Sequence, residues 1–228
     1  LGSPLVTGMT REVYCEAAQE LGEPEDQVHL CDVVQQLASP GEGFLERLEV
    51  DIRGLIPNIV RKSPSVRREG GDDFFTAEWG LPWKRPADGL YFDVISRPLE
   101  GDIDRKDIEE YDWPNAAEAG LLDGLKERAD QYRRNGKAVI LGNFCAGVFE
   151  MCCRMRGTEQ FCMDLLLNPS LAGALMDRFV ELKIEFYELA ARHLGDFEAT
   201  LWTTVAGGGD RDTTAAIAGG VAVMATGA

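Results

Sequence analysis

The chain has 228 residues, 45% of them hydrophobic, and a formal net charge of -16. That length and apolar content permit a sizeable core and exclude wholesale disorder. The charge excludes nucleic acid as a partner, because phosphates call for a basic surface, although a few arginines in a cleft can still receive an anionic substrate.

No run has the length or purity of a transmembrane helix, and the N-terminus lacks the basic-then-apolar layout of a signal peptide. The six cysteines (15, 31, 145, 152, 153 and 162) show no CxxC, and His29 and His193 lie too far apart for a local zinc motif. A cytoplasmic protein with reduced thiols is expected, with no membrane partner.

In chain order, residues 10–21 predict an amphipathic helix, with Thr10 as N-cap and Gly22 just past its end. Residues 31–37 predict a second helical piece and 43–48 a third. VDIRGLI (50–56) alternates as a short strand and closes at Pro57-Asn58. The basic stretch RKSPSVRREGGDD (61–73) reads as a loop. FFTAEWGLPWKRP and GLYFDVI read as two strands of a hairpin around Pro86-Ala87-Asp88-Gly89. The aromatics crowding both arms are assigned to packing ahead of ligand stacking, and Glu78 between them to a structural role. After Asp112-Trp113-Pro114-Asn115, a helix is expected over about 116–135, ended by Gly136.

The segment 137–157 carries most information. Ala138, Val139, Ile140 and Leu141 form an apolar run that ends in Gly142-Asn143, followed by a loop and a helix bearing Glu150. A buried strand that delivers polar groups at its carboxyl end is where α/β enzymes keep their chemistry. Helices are then expected over 158–167 and, restarted by Pro169, up to Gly195. FEATLWTTV (197–205) predicts a further strand. Strands alternating with helices imply parallel βαβ units, and their order favours a barrel over an open sheet. From Ala206 to Ala228 the chain is rich in Gly, Ala and Thr, a composition that buries little area and orders poorly.

Four residues are candidates for a site. Glu150 is the catalytic candidate, since a carboxylate there can bind a metal or cationic centre or carry a proton; the alternative is a capping or salt-bridging role. Asn143 either hydrogen-bonds a ligand or forms a turn. Asp51 and Arg53 share one face of the strand, where they orient an anionic group if that face is a barrel interior and form a plain ion pair otherwise. Cys152-Cys153 read as buried thiols.

The order of motifs resembles the uroporphyrinogen decarboxylase superfamily, which includes cobalamin-linked methyltransferases. The likeness is carried by residues 31–55, the AEWGLPWKRP…PLEG hairpin (77–101), DIEEYDWPN (107–115) and residues 137–195. Its most specific parts are DWP before a helix, a G-x-F-E segment and M-R-G-x-E-x-F-x-x-D-L (155–165). The resemblance implies an α/β fold: a partial (β/α)8 TIM barrel, roughly its first four or five βα units, with an inserted β-hairpin. It covers residues 1–205 and leaves 206–228 as an unrelated tail, the mark of a truncated or frameshifted barrel.

The resemblance implies one of three outcomes. A corrinoid-linked methyltransferase is preferred; it would use zinc and a corrinoid held on a partner protein. A uroporphyrinogen III decarboxylase of tetrapyrrole synthesis would need no cofactor. Against it stand the missing Arg-Gln-Ala-Gly-Arg element and Cys153 where the family has its pocket tyrosine. The third outcome is an inactive half-barrel with an open edge.

Overall fold

A computed structural model describes residues 2, 4–23, 27–58, 65–77, 79–118 and 120–194. In chain order its elements begin with α1 (Pro4–Thr7), α2 (Arg11–Glu20), β1 (Leu30–Asp32), β2 (Leu37–Ala38), α3 (Glu42–Arg47) and β3 (Ile52–Leu55). The strands β4 (Arg67–Glu69), β5 (Asp72–Thr76), β6 (Pro82–Arg85) and β7 (Asp93–Val94) follow. Then come α4 (Arg105–Glu110), α5 (Leu125–Arg134), β8 (Ala138–Leu141), α6 (Val148–Arg156), α7 (Thr158–Leu167) and α8 (Pro169–Leu194). The chain divides into two compact units. The first takes in Leu1–Asn58, Ala119–Asn143 and Ala190–Ala228, and the second Ile59–Glu118 and Phe144–Leu189.

In the first unit, α2 starts after Thr10 as predicted, though the Thr10 side chain makes no capping hydrogen bond. Tyr14 and Ala18, four residues apart, bury the helix's inner face against Ala38, Phe44 and Leu45. The Tyr14 ring meets Phe44 edge-on at 4.9 Å, and its hydroxyl accepts from the Gly41 N–H at 2.9 Å, so the phenol is both packed and satisfied. The helix expected over 31–37 is instead the hairpin β1–β2. Asp32 explains the difference: its carboxylate accepts from the Gln35 N–H at 2.9 Å, and such a local bond offers the backbone an alternative to a helix. Gln36 then takes a positive φ of 56°, which no helix accommodates.

Strand β3 pairs in parallel with β8, with Ile52 opposite Ala138 and Leu55 opposite Leu141. Leu55, Val139 and Leu141 are buried, in keeping with a near-continuous apolar run, and α5 packs on both strands. Helix α5 is shorter than the expected 116–135. Gly120 and Gly124 both have positive φ, so 116–124 turns rather than coils, and the helix begins only at Leu125.

In the second unit, β4 to β7 form a four-stranded antiparallel sheet in chain order. Its first hairpin turns on Gly70-Gly71, both at positive φ, between the paired Glu69 and Asp72. That is the glycine pair a two-residue turn requires, inside the stretch expected to be a loop. The expected strand 74–86 is itself two strands, β5 and β6, and the turn near Pro86–Gly89 joins β6 to β7. Phe75 stacks on Trp83 at 6.1 Å and meets Phe92 edge-on at 4.8 Å, while Trp79 touches Phe144 and Phe179. These aromatics are packed, as assigned; Leu90 and Tyr91 are exposed. In the long helix α8, Leu171, Leu175, Phe179, Leu182 and Phe186 are all buried at steps of three and four.

The partial (β/α)8 barrel is therefore corrected. Among the described residues the sheets are separate, with two, two and four strands, and β3–β8 is the one parallel pair. A barrel needs successive parallel strands, each followed by a helix. Here the chain between β3 and β8 spends its strands on an antiparallel meander. The strand expected over 197–205, the tail 206–228 and Glu78 lie outside the described residues.

Candidate active site

Each expected site residue has a definite place. Arg53 is 2% exposed and its guanidinium is fully engaged within the first unit. Nε lies 3.0 Å from both Glu42 carboxylate oxygens, Nη2 donates to Glu42 Oε1 at 2.6 Å, and Nη1 donates to the Val50 and Ile52 carbonyls at 2.7 and 3.0 Å. The partner is Glu42 at the start of α3, a residue the sequence did not single out, and not the neighbouring Asp51. This fork ties α3 to β3, which is a structural task suited to arginine's planar donors.

Asp51 is exposed and precedes β3, and its carbonyl accepts from the Ala138 N–H at 2.8 Å. Asn143 is half-buried just past β8. Because β3 and β8 run parallel in register, Asp51 and Asn143 stand at opposite ends of the pair, more than about 13 Å of strand apart. They do not form one site. At the carboxyl end the backbone is tight: a Cβ on Gly142 would stand 3.0 Å from Leu5 Cδ1 and 3.2 Å from the Leu55 carbonyl oxygen.

Glu150 lies in the second unit, in the first turn of α6, with its side chain about half exposed. It bonds Arg154, one turn on, at 2.5 Å. An exposed i,i+4 pair of this kind contributes little to stability, so the carboxylate is accessible and cheaply released.

Deeper in the same unit, Arg156 bonds Asp164 at 2.7 Å and donates to the carbonyls of Leu99 and Gly101. Gln160 holds the other Asp164 oxygen at 2.9 Å. Burial pushes the Asp164 carboxyl up, but the bonds from Arg156 and Gln160 and the Arg156 charge outweigh it and hold it below its ordinary value. Met155 and Phe161 are fully buried beside them. The motif 155–165 is thus a packing clamp in which the buried charges, Arg156 and Asp164, are spent on each other.

Three of the thiols are held in the protonated form by their environment. Burial first, then the neighbouring Cys153 and Cys145, pushes Cys152 up to about 12. Burial also raises Cys153, against a hydrogen bond with Thr158 that lowers it. Cys31 is raised to about 11, chiefly by burial. Among the described residues, no group of three or more His, Cys, Asp or Glu side chains is placed to hold a metal ion. Nor is any described helix long and apolar enough to cross a membrane.

Residues 116–228 match the family model of the ADP-ribosylglycohydrolases. The match spans just under half the chain and runs through the tail to Ala228. No curated protein and no solved structure matches the chain. The matched family is one of enzymes, helical rather than a barrel. Consistent with that, the described part of the match holds α5 to α8 and the single strand β8.

The ADP-ribosylglycohydrolase match overturns the likeness to the uroporphyrinogen decarboxylase superfamily, and with it both the methyltransferase and the decarboxylase. Zinc, the corrinoid and its carrier protein were implied by that likeness and lose their basis. So does the truncated or frameshifted barrel. The motifs that carried the likeness are here the residues of the α6–α7 clamp and the aromatic core, which say how the chain packs. A chemical signal was passed over in the tail: Gly207-Gly208-Gly209-Asp210-Arg211-Asp212-Thr213-Thr214 sets two carboxylates and two hydroxyls behind a glycine run.

Proposed function

We propose that the protein hydrolyses a glycosidic bond of ADP-ribose. The match of residues 116–228 to the ADP-ribosylglycohydrolase family model carries this reading. Breaking such a bond needs carboxylates that activate water on one side of the sugar and steady or protonate the departing group on the other. Asp210 and Asp212 are the strongest sequence candidates, being the densest pairing of carboxylates and hydroxyls in the matched part. They lie outside the described residues, and their roles rest on residue chemistry and the match alone. Glu150 is a further candidate, supported by its accessibility at the start of α6.

The test is release of free ADP-ribose from peptides carrying it through nitrogen-linked or oxygen-linked bonds. Release by the whole chain is expected, falling by about a hundredfold or more in Asp210→Asn or Asp212→Asn, as removal of an acid–base group does. Glu150→Gln should lower turnover more than stability; equal losses would make it structural. No release from either linkage type by folded protein would sink the proposal.

A further inference from the structure

Among the described residues of the second unit, two buried hydrogen-bond donors have no acceptor: Trp83 Nε1 and Arg97 Nε. Buried donors are nearly always paired, so an orphan points to an ion or water that belongs there. Trp83, on β6, is 4% exposed, with its ring stacked on Phe75 and the Arg154 guanidinium 5.2 Å from its centroid. Arg97 lies against the same end of α6. Its Cδ and Nε stand 3.4 and 3.6 Å from where a Cβ on Gly157 would be, just past the helix. The strap that carries Arg97 is pinned there, since the Leu99 N–H donates to the Met155 carbonyl at 3.1 Å and Arg156 donates to the Leu99 and Gly101 carbonyls.

The end of α6, from Arg154 to Gly157, therefore lies against both residues that carry an orphan donor. The charges around it are unequal. Arg154 is matched by Glu150 and Arg156 by Asp164, whereas Arg97 has no ion-pair partner among the described residues. One unmatched positive charge and a neutral N–H donor at the same helix end repel a cation and suit an anion. In a chain of net charge -16, such a local excess is where a small anion collects. Guanidinium and indole N–H groups both donate to phosphate oxygens.

We propose that Trp83 Nε1 and Arg97, beside the last turn of α6, are the donors of a binding site for a small oxyanion of the phosphate class. Both donors precede the family-matched segment, although the helix end they lie against is inside it, and the proposal does not rest on the glycohydrolase reading. Isothermal titration of the whole chain with inorganic pyrophosphate tests it. Saturable binding is expected, weakened about tenfold in Arg97→Gln and several-fold in Trp83→Phe, which keeps the ring and removes the donor. Thermal melts confirm that each variant folds, and partly exposed Arg97 can change even if Trp83 cannot. Absence of saturable binding, or binding unaltered by Arg97→Gln, overturns the proposal. So does unaltered binding in a folded Trp83→Phe, which would leave a water on Nε1.

Discussion

Buried charge in this protein is held by forks of arginine, and each fork has a measurable consequence. Arg156 and Asp164 are both nearly inaccessible and satisfy each other, and Arg156 also donates to two strap carbonyls. Arg156→Ala should cost about 3–5 kcal/mol in denaturant unfolding, because it strands a buried carboxylate. The sign of the pH effect follows from Asp164. Its folded pKa is depressed, so its stabilising contribution is present above the ordinary carboxylate value and fades as pH falls through the folded one. Asp164→Asn should therefore lose stability at neutral pH and show a flatter acid limb; an unchanged acid limb would contradict the pairing. The cysteines give a second test. Thiol reagents at neutral pH should modify exposed Cys15 and Cys162 while Cys152, buried and raised to about 12, reacts only on unfolding. Mapping the labelled peptides by mass spectrometry decides it.

Helix α4 begins with a capping box that the sequence reading passed over. The Asp104 side chain accepts from the Lys106 and Asp107 N–H groups, and Asp107 reaches back to the Asp104 N–H at 2.8 Å. Asp104→Ala should cost about 1 kcal/mol, read as a lower denaturant midpoint with unchanged slope. Elements with a strong local signature were legible: α2, α3, α7, α8 and the apolar strand β8 all lie where periodicity, proline and glycine put them. The failures share one cause. Residues 31–37 have helical spacing, yet the Asp32 side chain and the positive φ of Gln36 turn them into a hairpin. Residues 116–124 have it too, and Gly120 and Gly124 interrupt it. In both places the competing interactions come from two local turn residues, to which a window of apolar spacing is blind.

At the scale of the whole molecule, removal of the tail is a test that separates folding from function. Removing residues 206–228 should leave the far-ultraviolet circular dichroism of the rest nearly unchanged. Under the glycohydrolase reading it should also abolish release of ADP-ribose, since Asp210 and Asp212 go with it. A truncated chain that keeps the activity would move the chemistry elsewhere in the matched part. By itself, the amino-acid sequence determined the apolar faces of the helices, the buried strand 138–141, the packed role of the aromatics and the acidic surface. Those are properties of neighbouring residues and need no partner to be expressed. Only the tertiary structure decided that β3 pairs with β8, that the intervening strands close on themselves as an antiparallel meander, and that Arg53 belongs to Glu42 instead of Asp51. Those choices join residues far apart in the chain, and they are settled by which arrangement buries the most apolar surface while leaving fewest charges unpaired.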